Sequence, residues 1–223
     1  MRQYYCYLVF LILTNYALSQ SQEQLNYFPL NVGDTWVLSN KQYQLKITVF
    51  DTIHICSRVF YKVQESSSIN NSSSITRKRL YAYDSSGNVY RKVVIVDSSE
   101  ASMQSIKLKK YIEKELPIDS SIIGVWYKTN ASVKDTWKLF ANSQFESREI
   151  HPYKIILESR CDTVITPNRT YYNCLRFYIE DLQESDTEYW DWLAEGVGLV
   201  KRKYLSTKAK GFILTSFKVS KNK

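Results

Sequence analysis

His54 and His151 are the only two imidazoles in the 223-residue chain. Either type of position can supply a general base. A serine or cysteine hydrolase also needs a nucleophile on a recognisable turn, and no Gly-x-Ser-x-Gly occurs. His54 lies in a strand pattern before a turn and His151 precedes Pro152, so both read as ordinary strand or loop residues. The acidic run Glu180, Asp181, Glu184, Asp186 and Glu188 has the oxygen ligands that Ca²⁺ takes, without EF-hand spacing. It reads as a solvated loop. Cys-x-x-Cys, His-Glu-x-x-His and phosphate loops are absent. Paired-carboxylate hydrolysis needs only two convergent acids, and the sequence selects no pair. No catalytic residue, metal ligand or cofactor follows, and the scarcity of histidine points away from an enzyme.

The remaining chemistry lies in cysteines and aromatics. Four cysteines occur, at 6, 56, 161 and 174. If Cys161 and Cys174 face each other across a hairpin, its centre falls between Pro167 and Asn168, and Pro-Asn is a good turn centre. Directly opposed Cβ atoms lie about 4.5–5.5 Å apart, close to disulfide range. Cys161–Cys174 is therefore the expected bridge, with two buried thiols as the alternative and Cys56 left over. Tyr189, Trp190 and Trp192 alternate along one strand, which places aromatics on both of its faces. They are the candidate ligand-facing aromatics; core packing is the alternative.

These residues need elements to hold them. The opening reads as a secretory signal: Arg2, an apolar run from Tyr4 to Leu13, then Ala17 and Ser19 at −3 and −1. The run is shorter than the ~20 residues of a membrane span. Residues 1–19 are thus expected to be removed, with no transmembrane anchor remaining. The mature chain, 20–223, then has 29 basic against 22 acidic residues, a net charge of +7. That charge is scattered and reads as a solvated basic face. No nucleic-acid motif accompanies it.

Beyond residue 27 the pattern is strand after strand. Tyr43, Leu45, Ile47 and Val49 alternate with Gln44, Lys46 and Thr48, the period of a half-buried antiparallel strand. Further segments of this kind recur to Val219, rich in β-branched and aromatic residues. Asp84-Ser85-Ser86-Gly87-Asn88 marks a hairpin turn. Ser66–Ser74 reads as an exposed polar loop, and Ala101–Glu115 is the best helical alternative.

The chain also repeats its vocabulary. Asp34-Thr35-Trp36 returns as Asp135-Thr136-Trp137. Asp51-Thr52-Ile53, Arg58 and Phe60-Tyr61 return 111 residues later as Asp162-Thr163-Val164, Arg169 and Tyr171-Tyr172. The ordered set predicts two similar halves, about 27–115 and 116–219, within one all-β domain. The expected fold is an antiparallel, strongly curved sheet, either a sandwich or an incomplete barrel. Trp36 and Trp137 would open strands and cap the core; Gly33, Gly196 and Gly198 suit turns or bulges.

Two segments carry a resemblance. Tyr27-Phe28-Pro29-Leu30-x-x-Gly33-Asp34-x-Trp36 and Tyr189-Trp190…Ala194-Glu195-Gly196-Val197-Gly198-Leu199-Val200-Lys201 resemble uncharacterised secreted β-rich proteins of Bacteroidota and Ignavibacteria-type bacteria. Those carry "YFPLxxGNxW" near the start and "YWFAPGVGLVK" near the end. The hairpin Asp162–Cys174 is similar to their "DTVTVPAGTFxNC" segment. Arg169 stands where those proteins have Gly, and Glu195 where they have Pro. The resemblance implies an exported antiparallel β protein and no enzyme activity. The functional expectation is a non-catalytic binding module, periplasmic or extracellular, for a lipid, lipoprotein or glycan. The alternatives are a structural or envelope-assembly protein and an unrecognised hydrolase.

Overall fold

The computed structural model describes residues 26–55, 58–69, 72–92, 123–142, 150–206 and 211–220. Among these residues twelve strands form one antiparallel sheet. They are β1 (Thr35–Ser39), β2 (Tyr43–Ile55), β3 (Arg58–Ile69), β4 (Ser72–Tyr83), β5 (Val89–Lys92) and β6 (Ile123–Tyr127), then β7 (Thr136–Asn142), β8 (Ile150–Ile165), β9 (Thr170–Asp181), β10 (Tyr189–Ala194), β11 (Gly198–Tyr204) and β12 (Phe212–Lys218). The sheet order is β6-β5-β4-β3-β2-β1-β12-β11-β10-β9-β8-β7. Each six-strand set is a meander, and β1 joins β12 between them. Of the two expected architectures this is the incomplete barrel. The expected Ala101–Glu115 segment and the signal residues 1–19 lie outside the described residues.

The barrel almost closes. Its two free edges, β6 and β7, are consecutive in the chain yet meet through side chains. The Trp137 indole Nε1–H donates to the Val125 carbonyl across 2.8 Å. Leu139 lies directly on Gly124, where an added Cβ would stand 2.6 Å from Leu139 Cδ1 and 2.7 Å from its Cβ. Only glycine permits that approach.

Alternation sorts the side chains into two sets. Leu45, Ile47 and Val49 of β2 face inward, as do Ile155 and Leu157 of β8 and Phe177 and Ile179 of β9. These residues and the incoming 27–30 segment form one apolar core. Phe28 enters the barrel and meets Trp36, Tyr81 and Tyr127, at centroid distances of 6.0, 5.5 and 5.7 Å. Trp36 is fully buried, stacks on Phe217 and donates its indole N–H to the Val197 carbonyl. Gly198 lies beside that indole at the start of β11, just after Gly196 in the β10–β11 turn.

The turns before β1 and β7 have the same construction. Gly33 N donates to Val49 O, and Val49 N to Asp34 O; Lys134 N donates to Leu157 O, and Leu157 N to Asp135 O. The Asp34 and Asp135 carboxylates accept the amides of Asn31 and Ser132. In each case the register of the next hairpin slips just after the paired residue, at Val49/Asp51 and at Leu157/Ser159.

Two expectations are corrected. Ser66–Ser74 is largely strand: Ser66–Ile69 pair with β2 and with β4 from Ser72 onward. A polar run can stay extended when both neighbours complete its backbone ladder, and here Ser66 Oγ and Thr76 Oγ1 also meet at 3.2 Å. The second correction concerns the cysteines. Ile165 pairs with Thr170, so the hairpin does centre between Pro167 and Asn168. Beyond it β9 carries one extra residue, with Asn173 in the left-handed region at φ 52°. This bulge advances the register by one, and Cys174 faces Asp162. Cys161 is exposed, Cys174 is buried, and both are free thiols. A one-residue slip places neighbouring side chains on opposite faces.

Candidate functional site

On β10 the chain alternates Tyr189 inward, Trp190 outward, Asp191 inward and Trp192 outward. The inward pair builds a buried polar cluster. The Arg202 guanidinium grips Asp191 with two bonds of 2.7 Å and lies 4.6 Å over the Tyr189 ring. Tyr127 donates its hydroxyl to the other side of Asp191 at 2.6 Å. Burial, and then the Asp191 charge, push the Tyr127 phenol far above its ordinary range. A bidentate pair with a third donor satisfies most of the lone pairs that burial would otherwise leave open.

His151 and Asp181 form a second buried pair, with Nδ1 2.8 Å from Oδ2. Asp181 also accepts Tyr153 and the Gln183 amide. Burial alone would raise the Asp181 carboxyl; these hydrogen bonds and the His151 charge outweigh it and hold the carboxyl below its usual range. The pair clamps the start of the β9–β10 connection to β8. His54 lies apart on the exposed arm of β2. The acidic run converges only in part: Asp181 and Glu184 both reach His151 Nδ1, at 2.8 and 3.8 Å, while Glu180 pairs with Lys154 at 2.9 Å. Among the described residues no group of three or more His, Cys, Asp or Glu has metal-site geometry.

The outward residues form a different arrangement. Register puts Ile156, Tyr178, Trp190 and Lys203 in one row across β8–β11, and Arg176, Trp192 and Lys201 in the next. Arg176 is the hub. Its Nε reaches Glu158 at 3.1 Å and its Nη1 reaches Asp162 at 2.8 Å. Each of those carboxylates also accepts an indole: Trp190 Nε1–H donates to Glu158 at 2.9 Å, and Trp192 Nε1–H to Asp162 at 2.8 Å. Tyr178 packs against Trp190 at 5.6 Å. Lys201 lies 4.4 Å over the Trp192 ring and Lys203 6.0 Å from that of Trp190.

Surface ion pairs of this kind contribute about 0–1 kcal/mol each. Their larger effect is orientation. With both N–H groups tied at the ring edges, the two indoles are fixed about two strand residues apart, roughly 6.8 Å. The faces of such rings offer apolar contact at low entropic cost, flanked here by ammonium groups. Trp192 is buried, 7% exposed, with Lys201 over its ring; Trp190 and Tyr178 are half-open.

Of the residues singled out in sequence, Trp190 and Trp192 therefore share this outer strip. Tyr189 belongs to the interior cluster, and Trp36 with Gly198 to the core. Trp137 belongs to the β6–β7 seam. Gly33 forms the turn before β1. Glu158, Arg176 and Lys203 carried no separate signal, and Asp162 and Lys201 stood out only within the repeat and the end motif, since their meeting depends on the register of four strands.

No family model and no curated protein matches the chain. Two solved structures are similar to it. One is a protein from Bacteroides fragilis, inferred to be exported and of YmcC-like fold, at 12% identity and a TM-score of 0.49, covering 87% of this chain and 100% of that one. The other is an inferred lipoprotein from Parabacteroides distasonis, at 11% identity and a TM-score of 0.47, covering 88% of this chain and 100% of that one.

Proposed function

We propose that this chain is an exported, non-catalytic binding module that takes a glycan on the outer face of β8–β11. Export rests on the order of charge, apolar run and small residues before Gln20. The carrying observation is that half-open Trp190 is held on the outer face by Glu158, beside Trp192, which is buried and held by Asp162, while Phe28 and Trp36 occupy the inside. A lipid would need apolar volume, and the interior is packed with the chain's own rings and ion pairs. A sugar ring fits the strip: its C–H face covers an indole, and its hydroxyls meet the charged groups between the rings.

The test is native mass spectrometry of periplasm-expressed protein, followed by a glycan array. The expected result is a mass with no extractable lipid, and array binding that is lost in W190A. Co-purifying lipid together with a silent array would overturn the reading.

A second reading has its own observation. On the β8–β9 arm Ile165 is 73% and Tyr172 70% exposed, which suits contact with another protein in envelope assembly. A photo-crosslinker at position 172 expressed in the periplasm tests it; adducts that vanish in I165E are expected, and a clean monomer overturns it.

A further inference from the structure

We infer that Lys201 and Lys203 make the outer strip selective for acidic glycans, those carrying carboxylates along a sugar chain. This rests on the glycan reading above and adds the charge of the ligand.

Around the two indoles the strip has three cations and two anions; Glu180 and Glu188 act on Tyr178 at its other end, where Lys154 pairs with Glu180. Arg176 is engaged by both Glu158 and Asp162. Lys201 and Lys203 remain, two residues apart on β11, and among the described residues neither lies within ion-pair distance of a carboxylate. Each instead rests near an indole face, Lys201 at 4.4 Å and Lys203 at 6.0 Å. An ammonium over a ring keeps N–H donors directed outward, since only part of its surface faces the π system. Lys201 has its proton affinity lowered, first by burial and then by the Lys203 charge, with Asp162 acting the other way and Arg176 adding to the repulsion. Like charges are therefore gathered on the β11 side of the two indoles. A carboxylate arriving there would relieve the repulsion and accept the outward donors.

The surroundings favour a glycan over a protein partner. A protein interface would have to desolvate Arg176, Glu158, Asp162 and both lysines together, at several kcal/mol per ion. A hydrated polysaccharide can leave those groups wet and bridged. An acyl chain would find no continuous apolar track, because Glu158, Arg176 and Asp162 line the edges of both indoles.

The experiment compares an oligogalacturonate with a neutral galacto-oligosaccharide of the same length by titration calorimetry. The acidic chain is expected to bind about tenfold or more tightly, with a preference that shrinks at high salt. The double variant K201Q/K203Q should lose that preference, read as the ratio of the two affinities. Lys203 is exposed and Lys201 is half-buried over Trp192, so the variant's melting temperature checks that the fold is kept. W190A should weaken both ligands, with Y178A as the second variant if W190A does not fold. Equal binding of the two ligands, unaltered in K201Q/K203Q, overturns the selectivity while sparing the glycan reading. Binding of polyglutamate equal to that of the oligogalacturonate also overturns it, as plain polyanion attraction. Binding of neither oligosaccharide overturns both.

Discussion

Gly33 and Lys134 hold the same left-handed position in two turns that share one hydrogen-bond pattern, with φ of 97° and 77°. A lysine is strained there, and a glycine is not. K134G is expected to stabilise the protein by roughly 0.5–1 kcal/mol, since relief of strain outweighs the added freedom of the unfolded chain. G33A should cost about 1–3 kcal/mol, because its Cβ would also stand 2.9 Å from Ser220 Oγ. Urea denaturation of the two variants checks the pair of opposite signs.

The β6–β7 seam predicts a coupled pair. G124A forces a methyl against Leu139 and should cost about 1–3 kcal/mol. L139A alone opens a cavity in a buried site and should cost about 2–5 kcal/mol. In the double variant the clash with Cδ1 disappears, although the Cβ of residue 139 still stands 2.7 Å from the new methyl, so the summed cost should fall short of additivity by about 0.5 kcal/mol. Additive behaviour in a double-mutant cycle would show that the seam is not closed by this contact.

Removing one member of the buried Asp191–Arg202 pair leaves the other charged and enclosed. R202M is expected to cost about 3–5 kcal/mol. Y127F removes only one donor to Asp191 and should cost about 1–3 kcal/mol. Equilibrium unfolding that ranks Y127F as the worse of the two would contradict the bidentate geometry.

Native alkylation followed by peptide mapping should label Cys161 and spare Cys174 until the protein is unfolded. Burial, and then the Asp162 charge, push the Cys174 thiol up to about 11, which leaves little thiolate at neutral pH. A peptide cross-linked between 161 and 174 would refute the bulge at Asn173.

The Asp181 and Asp162 carboxyls both lie below their usual range; burial raises each, and hydrogen bonds outweigh it, led by His151 for the first and by Ser159 and Trp192 for the second. A depressed folded pKa contributes stability that is present above the unfolded value, near 4, and is lost as pH falls through the lower folded value. The melting temperature should therefore hold between about pH 7 and 5 and drop below about pH 4. D181N should flatten that drop; a parent profile unchanged to pH 3 would contradict the sign.

Much of the fold was legible because alternation is a local property. Tyr43–Val49 announces its buried face residue by residue, and the Asp84–Asn88 turn announces its hairpin. The Pro167–Asn168 turn was legible for the same reason. What lay beyond it was not: Asn173 is an ordinary residue whose positive φ shows only once two strands are paired. The Ser66–Ser74 run misled because its own side chains say loop while its neighbours supply the ladder. The outer strip was half legible. Trp190 and Trp192 stand out by type and spacing, yet Glu158 and Asp162 reach them through bulges in β8 that composition does not mark.

The order of the sheet also dictates when the molecule is vulnerable. Each meander pairs strands close in sequence, whereas Trp36 must find Phe217 from the far end of the chain. Loop-closure entropy makes that junction the slow one. Until β1 meets β12, each half presents an open edge beside a hydrophobic face, the usual template for mispairing with another copy. The chain is thus most prone to aggregate in the interval when both halves have formed and have not yet met.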